Sequence, residues 1–179
     1  MHKKIRILLT SALFVLSGCS STLEKNSNNI AQLFTKDEIY HVSLLNTHKA
    51  QLIASLETKA LLTATYLNPV FKHKNCKNFC IDVKGGEYFF IGVYISNSKI
   101  QRFDAQGYSL TLNGNKPIEV KKLDKDDPLR YEMPMVDNWS TYYKVKFPKV
   151  DQDELTLVFE NDRFGKDILY FSKHAKEPF

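Results

Sequence analysis

The stretch that decides the fold runs from Tyr143 to Phe171: Tyr143-Lys144-Val145-Lys146-Phe147-Pro148, then, after a polar break, Leu155-Thr156-Leu157-Val158-Phe159, Asn161-Asp162-Arg163-Phe164-Gly165 and Ile168 to Phe171. Large apolar residues recur at every second position, the period of a strand with one face buried. Pro148, which cannot donate to a ladder, closes the first run. The Asn-to-Gly segment carries turn chemistry and returns the chain into a third strand. Three strands joined by short turns with no helix between them point to antiparallel pairing.

The same pattern extends upstream. Tyr108, Leu110 and Leu112 alternate with Ser109 and Thr111, and Asn113-Gly114-Asn115 is a hairpin signal that leads into Ile118 and Val120. Glu87 to Ser96 is apolar at almost every position, as expected of a central strand buried on both faces, and Gly85-Gly86 supplies a turn before it. The region from His48 to Leu67 fits either a helix or two strands. Thr58, Thr63, Thr65 and Tyr66 favour strands over 49–55 and 59–67, ended by Asn68-Pro69. Thr35 followed by Glu38 is spaced as a capping box, which predicts a helix over 36–46 with Ile39, Val42 and Leu45 on one side. About eight short strands and one short N-terminal helix make the expected fold mainly β, an antiparallel β-sandwich over residues 35–179 as a single domain, immunoglobulin-like by strand count alone. Twelve Phe and nine Tyr against one Trp supply an aromatic core.

The N-terminus is of another kind. His2, Lys3, Lys4 and Arg6 precede an apolar run from Ile7 to Leu16, and Leu16-Ser17-Gly18-Cys19 follows. About ten apolar residues are too few to span a bilayer, which takes roughly 20. The tetrapeptide resembles the lipobox of bacterial lipoproteins, a resemblance confined to residues 1 to about 21. It implies a signal peptide over 1–18 and a diacylglyceryl thioether on Cys19 with acylation of the new N-terminus, palmitate being the typical chain. Several acyl chains anchor stably where one binds marginally. Ser20, where the family places Asp to retain a product in the inner membrane, implies the outer membrane, on its periplasmic or its surface face. Residues 19–34 are polar apart from a few positions and read as a tether.

Lys3, Lys4 and Arg6 leave with the leader, so 22 of the 25 basic side chains face the same 20 acidic ones and the mature charge is +2. That balance gives no reason to expect nucleic acid as a partner.

Cys76 and Cys80 enclose three residues, and in an exported protein a local disulfide is the first expectation. A zinc site using His73, Cys76 and Cys80 lacks a fourth ligand at suitable spacing. Asp124, Asp126 and Asp127 invite a calcium reading, but the sixth and twelfth places of such a loop would be Leu129 and Met135, so a solvated turn is preferred. His2, His41, His48, His73 and His174 are scattered, and pairing Glu154 with Glu160 has no discriminating power. No nucleophile elbow, zinc-protease helix or phosphate-binding glycine loop occurs, so no catalytic residue, cofactor or metal is assigned.

The long connection from Asp124 to Thr141 carries Tyr131, Met133, Met135 and Trp139, residue types common in contact surfaces. They are the candidate partner-binding loop, with cover for the sandwich as the competing reading. The expectation for function is a lipid-anchored, non-enzymatic envelope component that acts through protein contact. A binding module for a small molecule, peptide or glycan is the alternative, and a cell-wall or lipid hydrolase a third.

Overall fold

A computed structural model describes residues 39–72 and 79–174. Residues 39–45 form a helix, α1. Then come strands β1 (Thr47–Ala54) and β2 (Glu57–Tyr66), a single helical turn α2 (Asn68–Phe71), β3 (Glu87–Ile95), β4 (Tyr108–Leu112) and β5 (Glu119–Lys122). A second short helix, α3 (Pro128–Glu132), precedes β6 (Thr141–Phe147), β7 (Glu154–Asn161) and β8 (Gly165–Ser172). All neighbouring strands are antiparallel, in a five-stranded sheet of order β1-β2-β3-β6-β5 and a three-stranded sheet of order β4-β7-β8. The fold is the expected β-sandwich.

Period-two alternation explains what lies between the sheets. Phe89, Ile91 and Val93 of β3, Val145 and Phe147 of β6, and Leu155, Leu157 and Phe159 of β7 point inward and are fully buried. The other face of the five-stranded sheet is also covered. Tyr88 and Phe90 of β3 and Tyr142 of β6 join Leu67, Val70, Phe71, Leu123, Leu129 and Met133 in a second core, with Ile39 and Val42 of α1 packed against it. That is why β3 reads as apolar on both faces: sheet lies on one side and helices and loop on the other. Leu45 does not share the α1 inner side. It is exposed, while Ser43 and Asn46 turn inward, with the Asn46 amide donating to the Val42 carbonyl at 2.8 Å. The capping pair Thr35 and Glu38 lies outside the described residues.

One expected pairing is corrected. Asn113-Gly114 does form a tight turn, with φ of 46° and 81° and a bridge between Leu112 and Asn115. Yet β4 does not pair with β5. Pro117 has no N–H with which to extend a ladder. Asn113 instead stays bonded to β7, its N–H to the Thr156 carbonyl at 2.8 Å and its Oδ1 accepting from the Thr156 N–H at 2.7 Å. The Ile118 N–H then donates to Lys146 of the other sheet, so the connection crosses between sheets and β5 becomes the edge beside β6. The turn reads correctly; the strand after it belongs elsewhere.

Burial holds the phenols of Tyr66, Tyr108, Tyr142 and Tyr143 above the ordinary tyrosine range. Unfolded tyrosine ionises near pH 10. Above that pH the folded chain retains protons the unfolded chain has lost, so the stability contributed is complete below pH about 10 and declines as pH rises further. In an alkaline titration, the phenolate absorbance of these residues is expected to appear together with loss of the circular-dichroism signal. Ionisation that precedes unfolding would contradict their burial.

Candidate functional site

Strand register places three loops side by side at one end of the five-stranded sheet. Ala54 pairs with Glu57, leaving Ser55 and Leu56 as a two-residue turn between β1 and β2. Ile95, at the end of β3, lies opposite Ala60 near the start of β2. Thr141, at the start of β6, lies opposite Val93. The Ser55-Leu56 turn, the 96–101 loop and the 137–140 loop therefore leave the same end, which we call the loop end. The segments that precede β1 and follow β2 belong to the opposite end.

Each of these loops is held in place. Both turn residues have positive φ, 54° at Ser55 and 63° at Leu56, the backbone of a type I′ turn that Asn and Gly adopt without strain. Here the second residue is a leucine exposed at 101%. In the next loop the Gln101 carboxamide substitutes for a neighbouring strand, accepting from the Ile95 N–H at 2.5 Å and donating to the Ile95 carbonyl at 2.8 Å. Ser98 Oγ accepts from the Ile100 N–H at 3.0 Å and donates to the Ile100 carbonyl at 2.9 Å. The third loop turns on Asp137, whose Oδ1 accepts from the N–H groups of Trp139 and Ser140 at 2.9 and 2.7 Å. The Asp137 N–H in turn donates to Tyr142 Oη at 2.7 Å. The result is a set of fixed loops with apolar tips: Leu56, Ile100 at 45% and Trp139 at 77% exposure.

Beside them a groove of about 730 Å³ opens between the 95–100 segment and the β7–β8 turn. Ser98, Lys99, Gln106, Asp162 and Arg163 give it polar walls, and Tyr108 and Phe164 contribute aromatic surface. The interior of the sandwich is filled by packed side chains.

The sequence candidates separate. Tyr131 (64% exposed), Met135 and Trp139 are on the surface, but Met133 is 3% exposed and packs in the second core. In the 124–141 connection Leu129 and Met133 cover the sheet, while Tyr131 faces outward. Asp127 caps α3 by accepting from the Leu129 N–H at 3.0 Å, so the aspartate cluster is a solvated turn that starts a helix. His48 packs edge-on against Phe171 at 4.8 Å. Exposed His174 lies 3.6 Å from Asp153. Cys80 is exposed. Cys19, His73 and Cys76 lie outside the described residues. Among the described residues no three His, Cys, Asp or Glu side chains converge as a metal site, and no helix is long and apolar enough to cross a membrane.

Sequence reasoning missed a buried ionic cluster at the opposite end. Glu87 is 3% exposed. Its Oε2 accepts from Tyr66 Oη at 2.6 Å and Asn68 Nδ2 at 3.1 Å. Its Oε1 accepts from the Val150 N–H at 3.2 Å and lies 3.2 Å from Lys173 Nζ. A carboxylate offers about four lone-pair positions, and all are taken by the protein. No acceptor site is left for a substrate, so the cluster ties β2, β3, the β6–β7 connection and the C-terminal segment together. A charged residue opening the most apolar strand in the chain was the available signal.

Compared with family models, curated proteins and solved structures, the chain finds no match.

Proposed function

We propose that this chain is a lipoprotein of the bacterial outer membrane, anchored through Cys19, whose β-sandwich works without catalysis by making contacts in the cell envelope. The lipobox-like Leu16-Ser17-Gly18-Cys19 supports the anchor and the polar run behind it supports a tether. The observation that carries the contact role is the exposure of Tyr131, Met135 and Trp139 along one connection, with Trp139 on a turn fixed by the Asp137 carboxylate so that little conformational entropy is lost when it meets a partner. Tyr131, Met135 and Trp139 are the proposed contact residues. Saturation of Glu87 by four donors argues against the one buried carboxylate among the described residues as an acid or base. A disulfide between Cys76 and Cys80 belongs to the same proposal.

Affinity capture of the tagged, membrane-extracted chain tests this reading when compared with a Cys19→Ala form. A protein captured by both forms, and lost on Tyr131→Ala and Met135→Ala substitution, is the expected result. Capture that depends on the acyl group alone would remove the contact role from the domain. Mass spectrometry of the mature N-terminus tests the anchor itself, and a terminus other than acylated Cys19 would end the lipoprotein reading.

The groove favours a second reading, a binding module for a small molecule, peptide or glycan. Asp162 and Arg163 line it without a side-chain partner among the described residues, leaving charges available to a ligand.

A further inference from the structure

We infer that the loop end docks on the lipid bilayer, with Leu56, Ile100 and Trp139 entering the interfacial region. The inference deepens the anchored reading and relies on it for the choice of occupant. A leucine wholly exposed and held in the left-handed region is doubly unfavourable in water: the side chain buries nothing, and a β-carbon crowds the backbone at that φ. Asn or Gly would suit the same turn better. Backbone strain retained at an exposed apolar tip is the pattern of a site kept for contact rather than for stability.

The form of the surface selects the partner. Leu56, Ile100 and Trp139 stand on three separate loops that follow the sheet order β1-β2-β3-β6, with neighbouring strands about 4.8 Å apart. A protein partner would need three matched pockets in fixed positions. Acyl chains conform to whatever enters them, and a tryptophan is at home at the headgroup level. Next to Ile100 in the chain, Lys99 is exposed and has no partner among the described residues, so its charge is free to meet lipid phosphate.

The anchor can reach. Residues 20–38 separate Cys19 from the described part of α1, and a chain of that length reaches at most about 65 Å when fully extended. The chain enters β1 at the opposite end, and the nine residues of β3 measure about 30 Å from end to end. A tether of this length therefore lets the domain lie with its loop end on the bilayer that holds the acyl chains. On this inference Trp139 passes from the contact set proposed above to the lipid surface, while Tyr131 and Met135, on α3 and just after it, remain for a protein.

Trp139 is the single tryptophan in the chain and so reports its own environment. The unacylated Cys19→Ala chain is mixed with vesicles of phosphatidylethanolamine and phosphatidylglycerol. The expected result is a blue shift of Trp139 emission, with quenching by lipids brominated on the acyl chain. Leu56→Asn should lower the vesicle partition constant about tenfold, the effect of losing one buried leucine, while raising the urea midpoint because Asn relaxes the turn. A gain in stability without loss of vesicle binding would overturn the inference, as would unchanged emission at saturating lipid. A shift produced by an envelope protein and not by lipid would assign the tips to that protein instead. Because the chain tested carries no acyl group, a negative result leaves the anchor at Cys19 standing, and an unmodified N-terminus in cells leaves the vesicle result standing.

Discussion

Glu87→Ala is expected to lower the free energy of unfolding by about 3–5 kcal/mol, the range for removing one partner of a buried ion pair. The loss would exceed that of any single exposed charge, because exposed pairs such as Lys59 with Glu57 are solvated and count for little. After the substitution Lys173 faces the cavity without its carboxylate, and Tyr66 Oη and the Val150 N–H lose their acceptor. A graded series separates these contributions. Tyr66→Phe removes one donor of four and should cost about 1–2 kcal/mol. Glu87→Gln keeps the volume and leaves the Lys173 charge uncompensated, so it should fall between the two. Pairing Glu87→Gln with Lys173→Met removes both charges and should recover part of the loss, since apolar replacement of a whole buried pair is often neutral. Urea midpoints at unchanged slope give each value. If Glu87→Ala costs less than 1 kcal/mol, the cluster does not close this end of the sandwich.

The cluster also shows where reading the sequence stops. Period-two alternation placed β4, β7 and β8 because each has one wet and one dry face, and β6 because Lys144 and Lys146 alternate with Tyr143, Val145 and Phe147 even though Tyr142 is buried on the second face; that difference is written in the residue types. The double burial of β3 was legible for the same reason. Pairing between strands distant in sequence was not, because the hydrogen bonds that decide it are backbone groups which every residue has. The Asn113-Gly114 turn is a true local signal, but Pro117 and the bonds from Asn113 to Thr156 send β5 to the other sheet. The functional surface is legible in part. Trp139, Tyr131 and Met135 stand out by residue type, whereas Met133, chemically similar, is buried in the second core at the end of α3. Leu56 reads from the sequence only as part of an ambiguous apolar pattern, and Ile100 as an isolated aliphatic residue in a connection, until the backbone around them is known. Glu87 was passed over because one charge at the edge of an apolar run ordinarily marks a strand end.

Gly92→Ala links the second core to the exposed tryptophan. A β-carbon at position 92 would lie 2.6 Å from Cε1 and 3.1 Å from Cδ1 of Tyr142, the residue directly across the β3–β6 ladder. The ring occupies the space that the glycine leaves open. It has little freedom to withdraw: it stacks on Phe90 at 5.1 Å and 16°, the Arg130 guanidinium sits 4.7 Å from its centroid, and its hydroxyl accepts from the Asp137 N–H. Overpacking of this kind typically costs 1–3 kcal/mol, so about 2 kcal/mol is expected for Gly92→Ala and more for Gly92→Val. Displacing the ring also withdraws the acceptor that fixes Asp137, and Asp137 in turn holds the N–H groups of Trp139 and Ser140. The fluorescence anisotropy of Trp139 should therefore fall in Gly92→Ala. Tyr142→Phe supplies the control, because it keeps the ring and its stacking but removes the hydroxyl. It should loosen Trp139 to a similar degree at a cost near 1 kcal/mol. Should Gly92→Ala lower stability while Trp139 stays as rigid as before in both variants, the exposed loop would be fixed by Asp137 alone, and the packing beneath the sheet would have no bearing on the surface it presents.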